Sequence, residues 1–82
     1  MKKIIFPDFP YKIGDEFEIK NEYQTPYYRS GIKYIIDDIN YSMANNEWGV
    51  TLYYYRSSID EDFSYVRLDE LVKYFDKIQN EV

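Results

Sequence analysis

Carboxylates are the most numerous side chains in this sequence that can do acid–base or metal chemistry. Asp60, Glu61 and Asp62 form one run, and Asp37 and Asp38 form a second. Oxygen donors of this kind bind calcium or magnesium, or act as a general acid and base. Neither run has the spaced carboxylates and the glycine of a calcium loop, so we interpret both as solvated loop charge. We predict no catalytic residue and no metal ligand in this chain.

The sequence contains neither histidine nor cysteine. Their absence excludes disulfides, thiolate nucleophiles and cysteine-based zinc sites, and it removes the commonest general base. Gly14 precedes a strand pattern and not a helix, so it indicates a turn instead of a phosphate-binding loop. We therefore expect no cofactor and predict that the protein is not an enzyme.

Aromatic side chains are the unusual feature of the composition. Eleven tyrosines, five phenylalanines and one tryptophan make up 21% of the chain. Isoleucine and valine together also outnumber leucine, methionine and alanine. β-Branched and aromatic side chains suit the pleated surface of a sheet, whereas a helical bundle needs more leucine and alanine. The composition predicts a mainly β protein.

The length and the charge set the class of protein and disfavour some partners. A chain of 82 residues forms one domain, here 1–82, with a single modest core. Ten basic and fifteen acidic residues give a net charge of −5, which disfavours a phosphate backbone as partner. No apolar run is long enough to cross a bilayer, and no secretory N-terminus is recognisable, so we expect a cytoplasmic protein with no membrane partner.

Alternating apolar residues predict four strands, with residues 1–10 forming an N-terminal extension or a further edge strand. Apolar residues change parity in the second of these strands, so we expect that it either crosses between faces or contains a bulge near Asp37 and Asp38. Asn45 and Asn46 are suited to positive φ in a turn. The four predicted strand segments are Ile13–Lys20, Ile32–Ile39, Glu47–Arg56 and Phe63–Val66.

The C-terminal part of the chain changes to a helical period. Apolar residues recur there with the three- and four-residue spacing of one helix face. The pattern predicts a helix over residues 69–78, with Asp69 capping its start and Lys73 and Lys77 placed favourably towards its end. The apolar stripe consists of Leu68, Leu71, Val72, Phe75 and Ile78.

Four segments together carry a resemblance to a known group of proteins. They are Lys12–Ile19, Gly31–Ile39, Trp48–Tyr55 and Val66–Leu71. In this layout the chain resembles small SH3-like β-barrel proteins, many of which are encoded by phages and mobile elements. The resemblance covers most of residues 11–78 and implies an α+β, mainly β fold: a small antiparallel SH3-like barrel of four to five strands with one short C-terminal helix. The group has no shared catalytic residues.

The predicted strands and helix supply a complete core without using several of the tyrosines. We expect that core to contain Phe17, Ile19, Tyr34, Ile36, Val50, Leu52, Leu71, Val72, Phe75 and Ile78. Five tyrosines then have no obvious inward position. Exposed tyrosine offers a large, stiff contact area at small entropic cost and is enriched at interfaces. The unplaced tyrosines are Tyr23, Tyr27, Tyr28, Tyr53 and Tyr55.

We predict that the working surface combines the tyrosine-rich loop with the outer face of the third strand. Two arginines lie next to these rings, and an acidic stretch would steer a basic partner towards them. The predicted partner-binding residues are Tyr23, Tyr27, Tyr28, Arg29, Tyr53, Tyr55, Arg56, Asp60, Glu61 and Asp62.

These features favour a non-enzymatic, acidic protein-binding module. One form of this hypothesis is a phage-encoded inhibitor, acting in the host cytoplasm on a defence or nucleic-acid-processing protein with a basic surface. One alternative is a nucleic-acid-binding barrel, in which tyrosines stack on bases and arginines hold phosphates. A second is an oligomeric sponge for a nucleotide-like ligand. The same tyrosines can also form a homodimer contact.

Overall fold

The computed structural model describes residues 8–79. This part of the chain forms five strands, one α-helix and one short 3-10 turn. The prediction of a mainly β domain with four to five strands and one short helix is confirmed. The strands are β1 (Glu16–Ile19), β2 (Tyr34–Ser42), β3 (Glu47–Tyr55), β4 (Glu61–Arg67) and β5 (Phe75–Lys77); the helix α1 is Leu68–Tyr74, and the 3-10 turn is Asn21–Tyr23.

All neighbouring strands are antiparallel, and their order across the sheet is β4-β3-β2-β1-β5. The two edges of the sheet are therefore β4 and β5. Within residues 8–79 these edges do not pair with each other, so the sheet is not a closed barrel. We refer to the opening between β4 and β5 as the seam.

The hairpin of β2 and β3 contains both local irregularities that the sequence predicts. The register shifts between Ile36 and Asp38, so Asp37 is an extra residue in a β-bulge. The turn between the two strands places Asn46 at a φ of 51°, in the left-handed region that asparagine tolerates. The bulge is therefore the correct alternative for this strand, and the positive φ predicted for the turn is confirmed.

The core lies on one face of the sheet and follows strand parity. Eight of the ten predicted core residues are buried, but Val72 is 52% exposed and Ile78 is only half-buried. Tyr54 and Val66 are buried instead, because each points inward from the hairpin of β3 and β4. The buried core consists of Phe17, Ile19, Tyr34, Ile36, Val50, Leu52, Tyr54, Val66, Leu71 and Phe75.

The predicted helix over residues 69–78 is wrong at its C-terminal end. The helix α1 ends at Tyr74, and Phe75 has extended dihedrals of φ −121° and ψ 153°. Phe75 then pairs with Ile19, so β5 satisfies the backbone of β1 along its outer edge. Phe75 still reaches the core, now from a strand. Leu71 is the residue that the short helix contributes to the fully buried core, and its neighbour Val72 faces solvent.

The predicted cap of the helix is also wrong. Arg67 is the N-cap residue, and its backbone N–H donates to Glu70 Oε1 at 2.9 Å. This pairing is half of a capping box and fixes the corner between β4 and α1. Asp69 lies in the first helical turn, where its charge is favourable to the helix dipole.

The predicted extension or edge strand over residues 1–10 lies largely outside the described residues. Within the described range, Asp8 to Pro10 form no strand. The Phe9 ring packs against the rings of Trp48 and Tyr11, at centroid distances of 5.2 and 5.9 Å. This segment therefore adds aromatic cover beside the sheet.

Candidate functional site

Two of the predicted site tyrosines are structural because they fill the seam. The Tyr28 ring packs against Phe75 of β5 at 5.3 Å and against Tyr34 of β2 at 5.6 Å. Its hydroxyl hydrogen-bonds to Ser64 of β4, so one side chain connects the two sheet edges. Tyr23 packs against Tyr74 of α1 at 4.8 Å. Both rings are half-buried, so the expectation that they lack an inward position is wrong.

The seam contains a groove of about 430 Å³. Val66 lines it from β4, and Ile19 and Phe75 line it from β1 and β5. Tyr23 and Tyr28 contribute to its walls while packing on their neighbours in the fold. We interpret this groove as the open joint of the sheet, covered by the loop that precedes β2.

Hydrogen bonds within that loop hold it in one shape. Thr25 Oγ1 accepts the backbone N–H groups of Tyr27 and Tyr28, each at 3.1 Å. The Arg29 N–H donates to the buried Tyr34 hydroxyl at 3.0 Å, and the Ser30 N–H donates to a side-chain oxygen at the same distance. Tyr27 is nevertheless 78% exposed. The loop therefore presents the Tyr27 ring and the Arg29 side chain from an ordered backbone.

A second groove, of about 370 Å³, lies between this loop and the hairpin turn that joins β3 to β4. The structure brings together two arginines here that are far apart in the sequence. We call this site the arginine groove. It is lined by Pro26, Tyr27, Arg29, Ile32, Arg56, Ser57 and Asp60.

The hairpin turn is ordered by its own side chains. Ser57 Oγ accepts the N–H groups of Ile59 and Asp60 at 3.4 and 3.2 Å. The Arg56 N–H donates to the Asp60 carbonyl at 2.8 Å. Arg56 Nε also lies 3.5 Å from a carboxylate oxygen of Asp62. Hydrogen bonds within the protein therefore order both walls of the arginine groove.

The opposite face of β3 and β4 carries an exposed row of aromatic rings. Tyr53 lies between Tyr55 at 5.3 Å and Phe63 at 5.4 Å, measured between ring centroids. Tyr65 follows on the same face of β4, opposite Thr51. Tyr55, Phe63 and Tyr65 are each 50–55% exposed. We call the row Tyr53, Tyr55, Phe63 and Tyr65 the outer aromatic ladder.

Carboxylates adjoin the outer aromatic ladder. Glu61 lies opposite Tyr55, and its Oε2 accepts the Tyr53 hydroxyl at 3.3 Å. A hydrogen bond with Tyr55, supported by desolvation and by the charge of Glu61, raises the pKa of Tyr53 well above its usual value. Asp38 of β2 pairs with Thr51 on the same face and is exposed. The surface is thus aromatic at its centre and acidic beside it.

The predicted working surface is divided between two faces of the molecule. Arg56 and Asp62 have the strand parity of the buried Tyr54, whereas Tyr53 and Tyr55 have the opposite parity. The β3–β4 hairpin therefore separates the two sets. Four of the predicted residues line the arginine groove: Tyr27, Arg29, Arg56 and Asp60.

Asp62 protects the free edge of β4. In an antiparallel pair, alternate residues of a strand hydrogen-bond to the neighbouring strand. Because the Arg56 N–H donates to the Asp60 carbonyl, the register places the N–H groups of Phe63 and Arg67 on the side of β4 away from β3. Asp62 Oδ1 accepts the first at 2.8 Å, and Glu70 accepts the second at 2.9 Å. Side-chain carboxylates of this kind discourage pairing with another sheet edge. Asp62 therefore has a structural role that the sequence does not predict.

Phe63 and Tyr65 are surface residues that the sequence analysis does not include among its candidates. Their signal is the alternation Phe63-Ser64-Tyr65-Val66, in which the buried Val66 places both rings on the outer face. The predicted strand Phe63–Val66 includes both rings, but the prediction does not say which of its residues face inward. The outer aromatic ladder is therefore larger than the two tyrosines predicted on β3.

Within residues 8–79, no three acidic side chains converge in a way that could hold a metal ion. No helix in this part of the chain has the length and apolar character needed to cross a membrane. The chain matches no protein-family model, and neither curated proteins nor solved structures give a match. The function is therefore inferred from the geometry of the surfaces.

Proposed function

We propose that this protein is a non-enzymatic binding module that uses the outer aromatic ladder to bind a protein with a basic surface. The observation that carries the proposal is the run of packed rings Tyr55, Tyr53 and Phe63 across two paired strands, in which Tyr53 is half-buried and its two neighbours are exposed. Exposed tyrosine and phenylalanine in a continuous patch are typical of binding sites. The inner face of the same strands already supplies the core, so these rings are not needed there.

The chemistry beside the ladder favours a basic protein as partner. Glu61 and Asp38 lie on the same face as the rings and would repel the phosphates of a nucleic acid. An arginine or lysine of a partner can instead stack on Tyr55 or Phe63 while pairing with Glu61. The acidic residues Asp60 and Glu61 at the hairpin would also speed the encounter with a positively charged surface.

The finer identity of the module belongs to the same proposal. The strand order, with one helix between β4 and β5, supports describing the fold as an SH3-like barrel with an open seam. Small size, a net charge of −5 and an aromatic surface support an inhibitor role. We propose a phage-encoded inhibitor in the host cytoplasm whose acidic face occupies a basic site on a host protein, such as a defence or nucleic-acid-processing protein.

The experiment uses immobilised protein to capture its partner from a host lysate, with three baits compared side by side. We expect the wild type and Tyr27→Ala to capture the same protein, and the Tyr55→Ala/Phe63→Ala double variant to lose it. Tyr27 is the matched control because it is exposed and aromatic but lies in the arginine groove. Equal capture by all three baits would contradict the proposal.

Self-association is the competing use of the same rings. If the ladder forms a homodimer, sedimentation equilibrium of the pure protein will show a dimer that the Tyr55→Ala/Phe63→Ala variant abolishes. A monomeric wild type that still captures a partner supports the proposed function. A ladder-dependent dimer that captures nothing would replace it.

A further inference from the structure

We propose that the arginine groove binds a nucleoside monophosphate. This site is separate from the outer aromatic ladder and does not depend on the function proposed for it. The groove, of about 370 Å³, is lined by three kinds of residue: two arginines, one exposed tyrosine and one aspartate. A nucleoside monophosphate has a matching group for each of them.

The two arginines form a local exception in a chain whose net charge is −5. No carboxylate among residues 8–79 forms an ion pair with the Arg29 side chain. Arg56 meets Asp62 at 3.5 Å, but both side chains are substantially exposed, and such pairs are readily exchanged for another anion. Two arginines that line one groove can supply their guanidinium groups to the same phosphate.

The aromatic part of the groove suits a nucleobase. Tyr27 exposes most of its ring, while its backbone N–H is held by Thr25 Oγ1 at 3.1 Å. Pro26 and Ile32 extend the apolar wall beside it. A base can stack on this ring without ordering the loop first, and stacking of this kind accepts any base.

The carboxylate distinguishes a nucleotide from a simple anion. Asp60 lines the same groove and would oppose bare phosphate, but it can accept hydrogen bonds from the hydroxyl groups of a ribose. The Ser57 oxygen already accepts two backbone N–H groups, which leaves its own hydrogen to donate to a phosphate oxygen. In this arrangement Asp60 binds the sugar, while Arg29, Arg56 and Ser57 bind the phosphate.

The test is calorimetric titration of the full-length protein with adenosine monophosphate, adenosine and inorganic phosphate. We expect saturable one-to-one binding of adenosine monophosphate, and binding of adenosine and phosphate that is at least about tenfold weaker. Such a difference would show that the nucleoside and the phosphate of the ligand bind in the same site. Phosphate binding as tight as that of the nucleotide would overturn the proposal, because the groove would then be a simple anion site. An absence of saturation would overturn it as well.

Matched variants assign the binding to this groove. Arg29→Ala should weaken the nucleotide about tenfold or more, whereas Lys12→Ala, which removes the same charge from a different surface groove, should leave the affinity unchanged. Arg29 contributes its backbone N–H to the fold, and alanine keeps that donor, so the variant should fold normally. Tyr27→Phe should retain binding and Tyr27→Ala should lose it. Equal losses in Arg29→Ala and Lys12→Ala would contradict the assignment.

Discussion

Three consecutive tyrosines, Tyr53, Tyr54 and Tyr55, show how one residue type serves two faces of the same strand. Tyr54 is buried and packs its ring against Tyr34 at 4.8 Å. Its two neighbours point outward and contact each other at 5.3 Å. Because side chains alternate across a strand, a shift of one residue decides whether a tyrosine stabilises the core or faces a partner.

The loop before β2 repeats the contrast in adjacent positions. Tyr28 turns inward to contact Phe75 and to hydrogen-bond with Ser64, whereas Tyr27 turns outward into the arginine groove. In both regions the tyrosine count alone cannot distinguish a core ring from a surface ring. The neighbouring contacts make the distinction, and substitutions at adjacent positions can test it.

The largest expected difference is between Tyr54→Ala and Tyr55→Ala in the free energy of unfolding. Removing the buried Tyr54 ring leaves a cavity beside Tyr34, and we expect a loss of about 3 kcal/mol. Removing the exposed Tyr55 ring should change stability by no more than about 0.5 kcal/mol. Urea unfolding followed by tryptophan fluorescence measures both values. Similar losses at the two positions would show that the outer aromatic ladder is part of the core.

A smaller difference is expected between Tyr28→Phe and Tyr23→Phe. The Tyr28 hydroxyl hydrogen-bonds across the seam to Ser64, so its removal should cost about 1 kcal/mol. The Tyr23 hydroxyl makes no hydrogen bond with another residue in the range 8–79, so Tyr23→Phe is a matched control with little effect. Ser64→Ala should cause no further loss in the Tyr28→Phe background. Additive losses would mean that the hydroxyl does not connect the two edges.

Gly49→Ala should have a still smaller effect that depends on Tyr65. A Cβ at Gly49 would overlap the hydroxyl end of the Tyr65 ring, which lies across the glycine on the outer face. That ring is exposed and can swing aside, so we expect a loss below about 1 kcal/mol. In a Tyr65→Ala background the same change should be neutral or stabilising, because alanine suits a strand better than glycine. A double-mutant cycle measures the coupling, and an unchanged loss would contradict this packing.

The pH dependence of stability should also report on the buried tyrosines. Burial raises the pKa of Tyr34 and of Tyr54, and repulsion from Asp62 adds to the second shift. The folded protein therefore holds these protons more tightly than the unfolded chain. The resulting stabilisation is complete below the unfolded value near 10 and is lost as the pH rises through the higher folded pKa. Tyr54→Phe should lessen this alkaline loss relative to the wild type, and an unchanged pH profile would contradict the shift.

Periodicity predicted the parts of the fold that depend on local pattern. The parity of Val50 and Leu52, the bulge at Asp37 and the turn at Asn46 all follow from short stretches of sequence. The end of the helix does not, because Phe75 and its neighbours gain more by pairing with β1 than by extending α1. An apolar residue at a helical spacing can equally reach the core from a strand.

The candidate site depended on contacts that no local pattern contains. Tyr28 and Ser64 are 36 residues apart, so the sequence could not predict that Tyr28 fills the seam. Arg29 and Arg56 become neighbours of one groove only when the loop folds against the β3–β4 hairpin. The sequence placed these arginines beside exposed tyrosines but assigned them and the outer rings to a single surface. Strand parity divides that surface in two.

The most direct test of the central claim is the affinity of the purified, captured partner for Tyr55→Ala and for Tyr27→Ala. If the outer aromatic ladder is the interface, Tyr55→Ala should weaken binding about 30-fold, equivalent to about 2 kcal/mol. The unfolding midpoint of this variant should stay at the wild-type value. Tyr27→Ala should bind the partner as tightly as the wild type. Loss of partner binding in Tyr27→Ala with full binding retained by Tyr55→Ala would contradict the account and move the protein interface to the arginine groove.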